Sequence, residues 1–305
     1  MNWKLARKAP RLAARAQIIQ KIREFFSNRG YLEVDTPVLI PAPAPESHIN
    51  AVEAGKLYLQ TSPELCMKRL LAADYPKVFQ ICHCWRRGER GSRHLPEFTM
   101  LEWYRSNSDY TDLMTETSEL LRYIAASLST NGMVSYKGLK VDLSGKPETL
   151  SVRDAFAKYT GTTMEKALED DEFDLLMTDL IEPRLGNEGP TIIFDYPAEK
   201  AALARLKADD SSLAERFELY LAGMEIANAF SELTDPDTQR ERFLQEIAYR
   251  KKIGAGIYPM PEPFLDELVE MPPAAGIALG VDRLVMFFTN SETIDEVVAF
   301  TPEEL

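Results

Sequence analysis

Cysteine is scarce in this chain: Cys66, Cys82 and Cys84 are the only three in 305 residues. That is too few for a disulfide framework and fits a reducing cytoplasm. Histidine is equally scarce, and three imidazoles leave little scope for a Ser-His-Asp or Cys-His nucleophile. No run of eighteen apolar residues occurs, which argues against a membrane-spanning helix. The basic start Met1-Asn2-Trp3-Lys4 lacks the apolar core of a signal peptide. Positive charge is also short: 35 Lys and Arg face 48 Asp and Glu, a net charge of −13. Repulsion from a phosphate backbone therefore disfavours a long nucleic-acid footprint.

Other absences narrow the chemistry. There is no Gly-x-x-x-x-Gly-Lys-Ser/Thr phosphate loop, and Gly254-Ala255-Gly256 is not a dinucleotide fingerprint. Cys82-His83-Cys84 on a strand would put both thiols on one face and the imidazole on the other, with no further zinc ligands in view. Repeats, low-complexity tracts and linkers are missing, so residues 1–305 are expected to form one domain.

What is present reads as α+β. Leu12 to Asn28 carries a helical stripe of Leu12, Ala16, Ile19, Ile22 and Phe26, stopped by Arg29-Gly30. Ser62-Pro63-Glu64 reads as a helix start, with Ser62 as N-cap and Pro63 at the first helical position. Val78 to Trp85 and Phe98 to Tyr104 read as paired strands around an arginine-rich loop. Period two puts Phe98, Met100, Glu102 and Tyr104 on one face, and a carboxylate and a phenol there look like pocket lining. The stretch from about 110 to 190 is expected to be mainly helical, followed by a strand over Thr191 to Tyr196.

Phe217 to Glu232 reads as a strand pair turned at Gly223, and Asp235-Pro236 opens a helix to about Lys252. A Gly- and Pro-rich loop, 254–263, then leads to a last short helix and a closing strand and helix. Glu218, Glu225 and Glu232 are spaced by seven, so on a straight strand Glu225 and Glu232 face opposite sides. If both serve one pocket, a bulge near Ala227-Asn228 must reset the register.

The charged groups suggest a ligand. Arg86, Arg87, Arg90 and Arg93 fall within eight residues. By themselves they could be a solvated loop, but in an acidic protein they suit a compact polyphosphate. Arg283 opens the final helix, after Gly276-Ile277-Ala278-Leu279-Gly280. Two guanidiniums, an aromatic and a carboxylate cluster suit a triphosphate, a purine, a divalent cation and an amine. ATP-dependent activation of an amino acid follows.

At these residues the chain resembles the catalytic domain of class II aminoacyl-tRNA synthetases, of the lysyl type. Gly30 to Pro37 is similar to the first class II motif, Trp85-Arg86 through His94 to Tyr104 to the second, and Gly280-Val281-Asp282-Arg283 to the third. Ser62-Pro63-Glu64-Leu65 and Asn228-Ala229-Phe230-Ser231-Glu232-Leu233 resemble the lysine-pocket segments, so the likeness spans nearly the whole chain.

The resemblance implies an antiparallel sheet flanked by helices, a homodimer built on the first motif, and ATP with Mg²⁺. Arg86 is then expected at the α-phosphate and Arg283 at the γ-phosphate, the two catalytic groups. Phe98 would stack on adenine, with Arg87, Gly88, Glu89, His94, Leu95, Glu225, Ile226 and Gly280 completing the nucleotide site. Gly88 stands where the family usually has glutamate, which makes Glu89 the candidate replacement. Glu218 and Glu225 are the implied metal carboxylates. Glu232 and Tyr104 would receive the ε-ammonium of lysine, and Ser62, Pro63, Glu64, Glu102, Asn228 and Ala278 would line the rest of that pocket.

Ala278 replaces the usual glycine, a methyl group that favours β-lysine over lysine. The first motif begins near residue 30, leaving no room for the family's N-terminal anticodon-binding barrel. The resemblance therefore implies a stand-alone core that passes lysine or β-lysine to a lysine side chain of translation elongation factor P, with tRNA an improbable partner. A minimal lysyl-tRNA ligase and a catalytically silent regulatory subunit are the alternatives.

Overall fold

A computed structural model describes residues 3–128 and 130–305, so Met1 and Asn2 of the basic N-terminus fall outside the described residues. Helix α1 (Trp3–Ser27) starts well before the expected Leu12 and carries Pro10 within it. Its buried stripe is Ile18, Ile22, Phe25 and Phe26, whereas Ala16, expected inside, is exposed. Four short strands follow: β1 (Leu32–Glu33), β2 (Leu39–Ile40), β3 (Glu53–Ala54) and β4 (Leu57–Leu59). Helix α2 (Glu64–Ala72) leads into β5 (Lys77–Trp85) and β6 (Glu97–Ser106), then α3 (Tyr110–Ser127).

The stretch expected to be mainly helical contains three strands as well: β7 (Met133–Tyr136), β8 (Leu139–Asp142) and β9 (Glu148–Ser151). β7 and β8 form a hairpin whose turn residues, Lys137 and Gly138, both have positive φ (48° and 83°), the backbone twist that tight hairpins need. Short helices α4 (Val152–Tyr159), α5 (Met164–Glu169) and α6 (Phe173–Leu176) precede β10 (Thr191–Pro197), β11 (Leu213–Leu221) and β12 (Met224–Ser231). Helix α7 (Pro236–Lys252) is N-capped by Asp235 as expected. Helix α8 (Glu262–Leu268) begins inside the expected loop, and β13 (Ala274–Gly280) with α9 (Val281–Phe288) closes the chain.

Eight strands form one sheet in the order β1-β5-β6-β13-β12-β11-β10-β9. Every pairing from β5 to β10 is antiparallel, while β1 beside β5 and β9 beside β10 are parallel. The sheet is therefore mixed at its edges and antiparallel where the chemistry lies. One face is sealed by apolar residues of α1, α3 and α9 against Phe79, Leu101, Trp103, Ile277 and Leu279. Each such buried side chain contributes roughly 1.5–3 kcal/mol. Glu116, buried in this layer, accepts hydrogen bonds from Tyr31 Oη (2.7 Å) and Trp103 Nε1 (2.9 Å), so its polarity is satisfied.

The opposite face holds the cleft, and sequence parity explains why. On β13 the core-facing Ala275, Ile277 and Leu279 alternate with Gly276, Ala278 and Gly280. Those small residues pair with Tyr104, Glu102 and Met100 of β6 and leave room above the sheet. At Gly276 a Cβ would lie 2.2 Å from both Glu232 Oε1 and Tyr104 Cε1, so only glycine fits there. β11 and β12 turn at Ala222-Gly223, both with positive φ (51° and 68°). The expected bulge exists but sits at Ile226, slightly earlier than Ala227-Asn228: Tyr220 pairs with Glu225 and Leu219 with Ala227. That extra residue puts Glu225 on the same face as Asn228, Phe230 and Glu232.

Candidate active site

One cleft, of about 990 Å³ and open to solvent, runs across β6, β13 and β12. Arg86 and Arg283 both line it, which brings the two separated arginines of the sequence onto one site.

At the cationic end, Arg86 follows the last residue of β5. Its guanidinium lies over the Phe98 ring at 5.0 Å, and its buried Nε has no hydrogen-bond partner among the described residues. A donor held in place but unused within the chain is disposed toward an anion. Arg283, in the first turn of α9, donates to Glu225 O (2.9 Å) and Glu225 Oε2 (3.1 Å), and its other arm meets His94 Nε2 at 2.5 Å. Burial and then the Arg283 charge hold His94 below the ordinary imidazole value, and because a guanidinium only donates, Nε2 accepts in this contact. Asp282 beside it does not face solvent. It is paired with Arg15 and accepts from Thr99 N at 2.7 Å, locking α9 to α1 and β6.

The arginine-rich loop divides. Arg86 and Arg93 line the cleft, Arg93 donating to Gly223 O at 2.9 Å. Arg90 instead pairs with Asp295 and Glu303, both at 2.9 Å. Arg87 is exposed and not among the lining residues; its backbone N–H meets Asn50 O. Gly88 does not line the cleft either. Its φ of 86° is a conformation that favours glycine, and the turn delivers Glu89 to the wall, 3.8 Å from Arg86. His94, Leu95, Ile226 and Gly280 all line the cleft.

At the acidic end, Ser62, Glu64, Glu102, Asn228 and Ala278 line the cleft, whereas Pro63, Tyr104 and Glu232 do not. Ser62 is not the N-cap of α2: Pro63 occupies that position. The Ser62 hydroxyl still accepts from Glu64 N (3.0 Å), and it donates to Glu102 Oε1 (2.6 Å). Tyr104 Oη donates to the other Glu102 oxygen at 2.8 Å. Burial, followed by the Glu64 charge, pushes Glu102 up to about 8. Glu232 is fully buried behind these groups, and its nearest charge is Lys68 Nζ at 2.5 Å. Burial pushes the Glu232 carboxyl above its ordinary range against the pull of Lys68.

Glu225 lines the cleft, and Glu218 lies behind it. Glu218 accepts from Arg216 Nη2 (2.6 Å) and Tyr220 Oη (2.7 Å). Burial raises its pKa most, with the Glu225 charge raising it further and Arg216 opposing. Each carboxylate is paired with an arginine, Glu218 with Arg216 and Glu225 with Arg283, and of the two only Glu225 reaches the cleft wall, where a carboxylate suits a dication shared with a phosphate ligand. No group of three or more His, Cys, Asp or Glu forms a closed metal cage among the described residues.

Sequence reasoning missed Glu46, Ile49, Phe230 and Ile294 as cleft residues. Glu46 and Ile49 sit in the segment after Pro41-Ala42-Pro43-Ala44-Pro45, anchored by buried Arg250, which donates to Glu46 O (2.6 Å) and Ile49 O (2.8 Å). These contacts join residues 204 and 201 positions apart, and no local pattern in the sequence announces them. Phe230, by contrast, has the parity of Asn228 and was legible.

Comparison with known proteins agrees with this geometry. The family described as tRNA synthetases class II (D, K and N) matches residues 2–304. A Salmonella gallinarum protein named elongation factor P–(R)-β-lysine ligase is 41% identical over 98% of this chain and 97% of its own. Proteins of the same name from Salmonella paratyphi B and Salmonella heidelberg are 40% identical with the same coverage.

Proposed function

Because the chain belongs to the class II tRNA synthetase family, we propose that it activates lysine, preferably (R)-β-lysine, with ATP and transfers it to a lysine of translation elongation factor P. The observation that carries this reading is a single cleft with guanidiniums at one end and buried carboxylates at the other. Relatives bearing that activity in their names match along nearly the whole chain.

In the first step a carboxylate oxygen of the amino acid attacks the α-phosphorus of ATP. The bond from the α-phosphorus to the bridging oxygen breaks, and pyrophosphate leaves with the electron pair. Arg86 steadies the charge that builds on the α-phosphate, and Arg283 holds the γ-phosphate. Positioned donors of this kind supply about 2.7–4 kcal/mol of transition-state stabilisation. Phe98 stacks on the adenine. Glu225 and Glu218 are the residues that would hold Mg²⁺, which supplies charge neutralisation on the phosphates. In the second step the amine of the acceptor lysine attacks the acyl carbonyl, AMP leaves, an amide forms, and the amine loses a proton. Alignment and electrostatics suffice, with no covalent nucleophile from the enzyme.

Two further features belong to this reading. Leu32, Val38 and Leu39 are exposed apolar residues on or beside the short strands β1 and β2, in keeping with a homodimer built on the first motif. No helix among the described residues is long and apolar enough to cross a membrane, and cytoplasmic work on the translation machinery accords with the scarce cysteines. The test incubates purified protein with ATP, lysine or β-lysine, and either elongation factor P or tRNA. Intact-mass analysis is expected to find one lysyl unit added to the factor; charging of tRNA with an unmodified factor would overturn the proposal.

A further inference from the structure

Lys68 is an ammonium buried where a helix of this kind would ordinarily bury an apolar side chain. It lies on α2 between Met67 and Leu71, which face the same layer, and its side chain is 0% exposed. Its Nζ is 2.5 Å from Glu64 Oε1 and 2.5 Å from Glu232 Oε2, and 5.9 Å from the centre of the Phe230 ring. Burial alone would lower its pKa most, yet Glu232 and Glu64 together raise it above the ordinary lysine value. A cation so placed is permanently charged, and it occupies part of the carboxylate that sequence reasoning reserves for the substrate.

The charges around it can be counted element by element. Glu64 comes from α2, Glu102 from β6 and Glu232 from β12, with the neutral Tyr104 phenol and Ser62 hydroxyl bonded to Glu102. Across the cleft, Arg86 and Glu46 act on each other as an opposed pair. Three carboxyl groups face one resident ammonium, so with all three ionised, the state a bound ammonium ligand favours, the acidic end lacks two positive charges. A diamino acid supplies two ammonium groups, while its single carboxylate is directed to the arginine end.

We infer that Lys68 is a specificity-determining positioning residue: by fixing one third of the carboxylate charge and orienting Glu232, it matches the cleft to amino acids with two ammonium groups. This rests on the reading that the chain activates lysine or β-lysine. Lys68 does not line the cleft, so it acts through Glu64 and Glu232. Gly276 supports the arrangement from below, since any side chain there would strike Glu232 and Tyr104.

The experiment compares wild type, Lys68→Met and Lys68→Arg. Amino-acid-dependent pyrophosphate exchange is followed from pH 6 to 9.5, together with calorimetric binding of lysine, β-lysine and norleucine. In Lys68→Met the KM for the diamino acid should rise about tenfold or more near pH 7, with the KM for ATP within about twofold. That loss should shrink as pH rises, because a buried carboxyl that has lost its ammonium partner needs a higher pH to ionise. Lys68→Arg keeps the charge but changes its shape, so it should retain the wild-type pH profile with a KM between those of wild type and Lys68→Met. A Lys68→Met enzyme with unchanged KM and profile would overturn the inference, as would a Lys68→Arg enzyme impaired as severely as Lys68→Met.

Should Lys68→Met fail to fold, wild type decides through the Nζ resonance of ¹⁵N-lysine-labelled protein. A slowly exchanging signal, absent from Lys68→Arg and retained on adding β-lysine, is expected; its absence, or its loss on binding, contradicts the assignment. Norleucine binding to wild type as tightly as lysine also contradicts it. A protein that binds diamines tightly yet forms no adenylate would break the functional reading alone.

Discussion

The two ends of the cleft are built differently. Arginines 86 and 283 keep roughly a fifth to a quarter of their side chains in contact with solvent and are joined to a turn-rich loop. Glu102, Glu232 and Lys68 at the other end are 1%, 0% and 0% exposed and are held by helix and strand. A phosphate chain is strongly charged and can be gripped by partly exposed guanidiniums at modest desolvation cost. An amine on a short side chain must be distinguished from near-isosteric alternatives, and only a dry, prearranged charge cluster does that: unpaired charges are expensive there, and a wrong ligand leaves them unpaired. Under the proposed function, the arginine end supplies rate and the carboxylate end supplies choice.

The largest expected effect tests the rate side. Arg86→Ala should lower lysine-dependent pyrophosphate exchange by about 10²–10³ in kcat. A loss confined to KM would mean that Arg86 only binds. Next, Gly276→Val should abolish lysine binding, measured by calorimetry, because its side chain must displace Glu232 and Tyr104. Gly276→Ala should already cost about 1–3 kcal/mol of stability in denaturant titration. Retained ATP binding in Gly276→Ala would sharpen the contrast between the ends.

The third concerns protons. Glu102, lifted by burial to about 8, binds a proton in the folded chain that the unfolded chain releases near 4.5. Folding therefore takes up a proton between about pH 4.5 and 8, and this contribution to stability falls as pH rises through that window. The slope is at most about 1.4 kcal/mol per pH unit. An ammonium ligand favours the ionised carboxyl, so lysine binding at pH 7 should release protons, seen as a buffer-dependent binding enthalpy; ATP binding under the same conditions should release fewer. The smallest effect is at Ala278, on the cleft wall at the acidic end. Ala278→Gly should shift the ratio of kcat/KM for β-lysine and lysine by roughly 1–3 kcal/mol toward lysine.

Much of this site was legible because its residues obey period two on long strands. Phe98, Met100 and Glu102 line the cleft as their alternation requires, and the bulge needed if Glu225 and Glu232 are to share a face exists, at Ile226. Legibility failed where long-range contacts decide. Ala16 and Ile18 differ by two positions on α1, and only the sheet beneath selects which is buried. β7 to β9 are four residues each, too short for a period to stand out from the helices around them. Lys68 was invisible for a different reason. Charge on a helix normally marks the solvent face, and nothing local announces that two glutamates, one of them 164 residues away, have drawn it inside.

The division of labour between the ends is tested most directly by measuring KM for lysine and for ATP in Glu232→Gln and Arg283→Ala, using pyrophosphate exchange. The account predicts a crossed result: the lysine KM rises at least about tenfold in Glu232→Gln with ATP little changed, and the reverse holds in Arg283→Ala. Both constants rising together in both variants would contradict it.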